Sequence, residues 1–279
     1  MLRAKPRPMP RPATYSRGWT VAQQLRARRG WLLDGAFVER FWSVRLGAAA
    51  FEMSAHVSLF FHGPGPGSAS MVVQLNSSFP VAMPPAVKEQ AIQYLRTSLG
   101  ERYRDAPDAP GQGRLWAKVR TDKPKQLLAE IAHVEHVLGG RAARRFGPSP
   151  RSQERRRWHV IEALRASSWL IGSLTFGRMV GDKHRALCAS IGVSVDSETG
   201  RHGLNANFGG WVPRANKPWT QFCDNAAVGL TAEGFRVNQQ EPCFFNFGRW
   251  AAGLSGTRAL KQADGFDQLL DTGVDVVVG

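Results

Sequence analysis

Leu187, Ala189, Ile191, Val193 and Val195 alternate with Cys188, Ser190, Gly192, Ser194 and Asp196. After the turn-rich stretch 196–203, Leu204, Ala206 and Phe208 alternate with Asn205 and Asn207. A period of two sends successive side chains to opposite faces, so both segments bury their apolar set only as extended strands. The pair reads as a β-hairpin with one apolar and one polar face, and that commits the chain to a half-buried antiparallel sheet.

A second hairpin is read upstream. Val57, Leu59 and Phe61 alternate with Ser58, Phe60 and His62, Gly63-Pro64-Gly65-Pro66-Gly67 breaks the chain, and Met71, Val73 and Leu75 resume the alternation. Shorter strands are expected at 115–119, 226–230, 234–239 and 243–247. Phe266–Leu270 reads as a helical turn leading into an extended Val274–Val278.

Three helices are expected. Pro84-Pro85 open the first, with Val87, Ala91, Tyr94 and Leu95 on one side and Gly100 at its end. Asp122 and Pro124 open the second, Gly139 closes it, and Leu127, Ile131, Val134 and Leu138 form its apolar stripe. The third carries Val160, Ile161, Leu164 and Ile171. The expected class is therefore α+β: an antiparallel sheet mainly from the C-terminal half, with about three helices packed on one face. No internal repeat is read.

Charge divides the chain. Residues 1–50 hold ten Lys/Arg against two Asp/Glu, and residues 141–165 hold eight against two, within a net charge of +15. Pro6, Pro8, Pro10 and Pro12 prevent a helix at the start. Residues 1–52 are accordingly expected to be an extended basic tail, or sequence lying before a true start at Met53. Residues 53–279 are expected to form a single domain with a basic connection at 141–157.

The chemistry-bearing residues are sparse. His133 and His136 stand three apart, whereas the zinc-protease pattern needs four with a glutamate between. Cys223 in Cys223-Asp224-Asn225 is a candidate nucleophile only if a base folds beside it. His56-Val57-Ser58 lacks the second His-x-Ser/Thr that two-histidine phosphoesterase chemistry requires. No phosphate loop is present, and no cofactor is implied. Three cysteines without a C-x-x-C pair argue against structural zinc and against a disulfide framework, so a reducing cytoplasm is the expected setting. No apolar run reaches the roughly 18–20 residues of a membrane helix.

Arg144, Arg145, Arg151, Arg155, Arg156 and Arg157 are the candidate nucleic-acid contacts, since clustered guanidinium groups displace counterions from phosphates. Phe146 and Trp158 flank this run without interleaving it.

One segment also has a recognisable cadence. Gly181-Asp182-Lys183-His184-Arg185 leads into Ile191-Gly192-Val193-Ser194-Val195, then into Leu204–Trp211 ending in Gly209-Gly210-Trp211, then into Asn225-Ala226-Ala227-Val228-Gly229-Leu230. Over about residues 181–234 this resembles the central strands of an immunity-protein family of bacterial polymorphic-toxin systems. That family's aromatic opening is absent here. The resemblance implies a non-enzymatic binder that neutralises a toxin or effector, with the Asn225 segment as a strand. The alternatives are a mobile-element protein binding nucleic acid through 141–158, and a hydrolase built on Cys223 or His133 and His136.

Overall fold

The computed structural model describes residues 2–6, 13–47, 49–61, 69–108, 110–121, 124–138, 153–182, 184–196, 199, 201–213, 216–238, 243–251 and 256–278. In chain order these form β1 (Leu2–Pro6), α1 (Ala13–Arg26), β2 (Leu32–Leu46), β3 (Ala49–Phe61), β4 (Ala69–Ser78), α2 (Pro85–Leu99), β5 (Arg104–Asp105), β6 (Arg114–Thr121) and α3 (Pro124–Val137). They continue with α4 (Gln153–Ala166), β7 (Leu170–Gly181), β8 (Ala186–Val195), β9 (His202–Trp211), α5 (Lys217–Ala232), β10 (Arg236–Val237), β11 (Phe244–Ala251) and α6 (Gly256–Val278).

This order is a repeat. Helix, three strands, helix, short strand, strand and helix occur from α1 to α3 and again from α4 to α6. Strand pairing repeats as well: β2-β3-β4-β6-β5 and β7-β8-β9-β11-β10, antiparallel throughout. Within each repeat a meander of three strands is followed by a helix, and the long strand after it returns to pair with the third.

The sequence carries the same duplication. Trp19-Thr20-Val21-Ala22-Gln23-Gln24-Leu25-Arg26-Ala27 matches Trp158-His159-Val160-Ile161-Glu162-Ala163-Leu164-Arg165-Ala166 at its Trp, Val, Leu, Arg and Ala positions. Trp31-Leu32 and Trp169-Leu170 follow in turn. In α3 the buried stripe is Leu127, Ile131, Val134 and Leu138; in α6 it is Ala259, Ala263, Phe266 and Leu270, with the same spacing.

The expected class is corrected in its distribution. Strands come from both halves of the chain, and six helices are present among the described residues rather than three. The segment 1–52, read as a tail, supplies α1 and β2 and buries Val21, Leu25, Trp31, Val38 and Trp42. Its proline and arginine content masked that apolar set. Residues 226–230 lie in α5, not in a strand, and Val274–Val278 end α6.

Two compact units result, one formed by residues 1–10 and 35–172 and the other by 11–34 and 173–279. Their membership does not follow the repeats. Helix α1 begins the first repeat but packs on α6 and β8 of the second unit, while α4 begins the second repeat but packs on α3 of the first. In the second unit Phe208 stacks on Phe266 at 5.6 Å and lies 6.4 and 6.5 Å from Phe222 and Phe245. In the first, Met71, Val73, Leu75 and Leu115 face the stripe of α3. Among the described residues α1, α3 and α6 pack on this inner, apolar face of their unit's strands, with α2 and α4 against α3 and α5 against α6.

The residue before each repeated tryptophan shares one backbone feature. Gly30 and Ser168 both take positive φ, at 83° and 67°. After α4 the Trp169 N–H donates to the Leu164 carbonyl at 3.0 Å and the Ser168 N–H to that of Arg165 at 3.1 Å, a Schellman closure of the helix. A left-handed residue with a Cβ is strained, so Ser168→Gly should stabilise the chain by about 0.5–1 kcal/mol in thermal or urea unfolding.

Candidate functional site

The two candidate sites are the outer faces of the sheets, where no helix packs, together with the polar networks that fasten α1 and α4.

Alternation in β7, β8, β9 and β11 that buries Leu174, Ile191, Ala206 and Phe245 turns a second set of residues outward. Aligned by register, that set runs in rows. They are Thr175–Gly192–Asn205–Gly248, then Gly177–Ser190–Asn207–Asn246, then Met179–Cys188–Gly209–Phe244. The four strands add no charged side chain to these rows, but exposed Arg236 of β10 continues the middle row beyond Asn246, and exposed Asp34 lies against Gly177 at its other end. Asn205, Asn207, Asn246 and Gly248 are exposed, and the Asn207 amide donates to Ser190 Oγ at 3.1 Å. Met179 and Trp211 at the margin are 41% and 38% exposed. A Cβ on Gly209 would sit 2.4 Å from the Phe244 ring, so that ring lies flat over the strand.

The first unit's outer face has another chemistry. Its rows are Phe60–Ser70–Arg120, Phe37–Ser58–Val72–Lys118, and Glu39–His56–Gln74–Trp116–Arg104. Each runs from the middle strands to a basic edge, where Arg104, Lys118 and Arg120 are exposed. Phe60 is 44% exposed. His56 lies between Phe37 and Phe41, at 5.7 and 6.5 Å between ring centroids, and 4.0 Å from the Glu39 carboxylate.

Burial holds the His56 pKa below its ordinary value, Glu39 opposes this, and Arg114 adds to it. The unfolded chain therefore takes up a proton first as pH falls below about 6.5. Stability is full above that value and is lost as pH falls towards the folded pKa. Melting at pH 7.5 and 5.5 should show the drop, and His56→Phe should flatten it; an equal drop in the variant would exclude His56 as its source.

The polar networks on the inner faces match one another. In the first unit Glu135 of α3, 2% exposed, is ion-paired with Arg40 of β2 and accepts from Trp169 Nε1 at 2.7 Å. In the second, Asp267 of α6 is ion-paired with Arg178 of β7 and accepts from Trp31 Nε1 at 2.9 Å. Arg178 also reaches Asp271 at 2.8 Å, and Arg28 pairs with Asp264. Trp169 stands edge-on to Trp42 at 6.0 Å. Burial raises the Glu135 pKa despite Arg40 and Trp169, which favour its charged form.

Of the residues singled out from sequence, the described ones form no single cluster. Arg144, Arg145 and Arg151 lie outside the described residues. Arg155 and Arg156 are exposed on α4, but Arg157 is 3% exposed with its guanidinium 5.6 Å from the Phe61 ring, so it packs inward rather than facing a phosphate. His133 and His136 are exposed on α3, and His133 Nε2 lies 3.3 Å from the Leu99 carbonyl. No cluster of three metal-ligating side chains occurs among the described residues.

Cys223 is bonded to Cys243, with Cα atoms 5.4 Å apart. The bond ties the α5 helix to the start of β11 and corrects the expectation of unpaired cysteines. It also removes Cys223 as a nucleophile. Burial pushes the Cys188 thiol up, with Asp34 adding to the shift. Closing a loop of 20 residues should contribute about 3 kcal/mol. Reduction should lower the melting temperature accordingly, and an unchanged melt under reductant would show that the bond contributes nothing.

Sequence reasoning missed both Trp–carboxylate–Arg networks, although Trp31 to Arg40 and Trp169 to Arg178 share one spacing. No helix among the described residues is long and apolar enough to cross a membrane. No family model, curated protein or solved structure matches the chain.

Proposed function

We propose that the chain is a non-enzymatic binding protein that closes an outer sheet face on a protein partner, a toxin or effector that it neutralises. The observation that supports this most is the outer face of the second unit. Open sheet faces exposed to water ordinarily carry charge, whereas the middle of this one presents glycine, serine and asparagine, with charge only at its margins, at Asp34 and Arg236, and Met179 and Trp211 along its border. Interface cores are depleted of charge and enriched in Trp and Met. The resemblance over 181–234 points the same way, although the Asn225 segment it aligns as a strand is helical.

Co-expression with a toxin that the chain neutralises should restore growth and give a stoichiometric complex. Asn207→Arg, in the middle of the face, should abolish both while leaving the melting temperature within about 1 °C. Protection that survives Asn207→Arg and Trp211→Asp together would exclude this face.

The disulfide bears on where the encounter happens. Such bonds persist in oxidising compartments, so the bond favours an oxidising setting over the cytoplasmic one expected from the cysteine spacing. Thiol labelling after acid quench and denaturation of native-host protein, before any reduction, should modify Cys188 and spare Cys223 and Cys243.

A second reading rests on the first unit. Trp116 and Phe60 beside Arg104, Lys118 and Arg120 combine stacking surface with cations, as single-stranded nucleic-acid surfaces do. Here the residues differ from the arginine run at 141–158. If this face binds nucleic acid, neutralising Lys118 and Arg120 should weaken binding and flatten its salt slope by about two.

A further inference from the structure

We infer that the chain is a tandem duplication whose repeats have traded leading helices, so that each unit is completed by the other repeat and stability is coupled crosswise. Four independent observations converge on this. The order of eight elements recurs with the same strand pairing. The α1 and α4 sequences match at five of nine aligned positions from Trp19 and Trp158. Unit membership crosses the repeats at both helices. Finally, equivalent latches close both exchanges, Trp31 on Asp267 and Arg178, Trp169 on Glu135 and Arg40.

The latch chemistry explains why the crossing persists. Leu25 and Trp31 are at most 1% exposed in the second unit, as are Leu164 and Trp169 in the first. Withdrawing either helix would expose a core and leave a carboxylate–guanidinium pair, buried in the first unit and partly exposed in the second, without its indole donor. Such a pair tolerates loss of a partner poorly. A helix that returned to its own repeat would find an equivalent socket, because Arg40 and Glu135 stand where Arg178 and Asp267 stand. The exchange is thus an alternative pairing of equal parts, fixed in one arrangement by the connections that precede β2 and β7.

The coupling has a direction that sequence neighbourhood does not predict. Damage to α1 should loosen β8, β9 and α6, more than 150 residues away, and spare β3, β4 and α2, which follow it directly. Damage to Trp169 should loosen α3 and β3 and spare β8 and β9.

Hydrogen exchange by mass spectrometry on the full-length protein tests this. In Trp31→Ala, amides of β8, β9 and α6 should exchange about a hundredfold faster or more, with those of β3, β4 and α2 at the wild-type rate. Trp169→Ala should give the mirror pattern. If alanine prevents folding, Trp31→Phe and Trp169→Phe, which remove only the indole donor and part of the ring, should give the same two patterns at smaller amplitude. Loosening of β3 and β4 by the Trp31 variants, or of both units equally by either, would overturn the inference.

Discussion

Replacing Glu135 with alanine should lower stability by about 3–5 kcal/mol, measured by urea unfolding at pH 7. The side chain is 2% exposed and holds two donors from different elements, the Arg40 guanidinium and the Trp169 indole. Alanine leaves both donors without an acceptor on the inner face, and these unmet donors are the larger part of the loss. Glu135→Gln separates the two contributions. It keeps an acceptor for Trp169 and Arg40, and burial, which raises the Glu135 pKa, favours the neutral form there. The glutamine variant should therefore lose only about 1 kcal/mol. Because the folded protein holds this proton to higher pH than the unfolded chain, the wild-type contribution is greatest below the ordinary glutamate range and declines as pH rises through the folded pKa. The gap between wild type and Glu135→Gln should narrow over the same window. Equal losses for alanine and glutamine would place the effect in packing instead.

Phe208→Ala should be of similar size, about 3–5 kcal/mol, because the ring is 1% exposed and touches three others. Those three come from α5, β11 and α6, so the cavity would lie where all the later elements of the second repeat meet. Calorimetry should show the loss with no new exposed thiol. Phe208→Leu should recover more than half of it, since most of the volume is restored. A loss below about 1 kcal/mol would mean that the four rings can collapse onto one another.

Much of the local structure was legible from residue spacing. Strict alternation located β3, β4, β8 and β9, because one-sided burial leaves a period of two. The stripe of Leu127, Ile131, Val134 and Leu138 located α3, and all four are buried. Short apolar runs were not resolved in this way. Ala226–Leu230 suits a strand or a helix by composition, and the deciding signal lay upstream. Asn216 caps α5 by accepting the Trp219 N–H at 2.9 Å, with Pro218 in the first turn. The valines at 274–278 favour extended structure locally but continue the stripe of Ala259, Ala263, Phe266 and Leu270 to Val277.

The duplication was hidden for a different reason. Its strongest trace is Trp19–Ala27 against Trp158–Ala166, and the first copy sits in a segment whose prolines and arginines set it aside as a tail. Charge, which marks both copies, concealed what they share. The outer faces were only half legible. Alternation showed that Asn205, Asn207, Ser190 and Gly192 face away from the core, but not that strands from 175 to 248 align them into uncharged rows. Those rows arise from register between distant segments, which periodicity along one segment does not contain.

Crosslinking of the full-length chain addresses the helix exchange most directly. In a Cys188→Ser background, Arg28→Cys is paired either with Asp264→Cys on α6 or with Ala132→Cys at the equivalent position on α3. A short bismaleimide should bridge 28 to 264 within one monomer, as the Arg28–Asp264 ion pair implies. Bridging of 28 to 132 with none to 264 would place α1 on its own repeat and contradict the exchange.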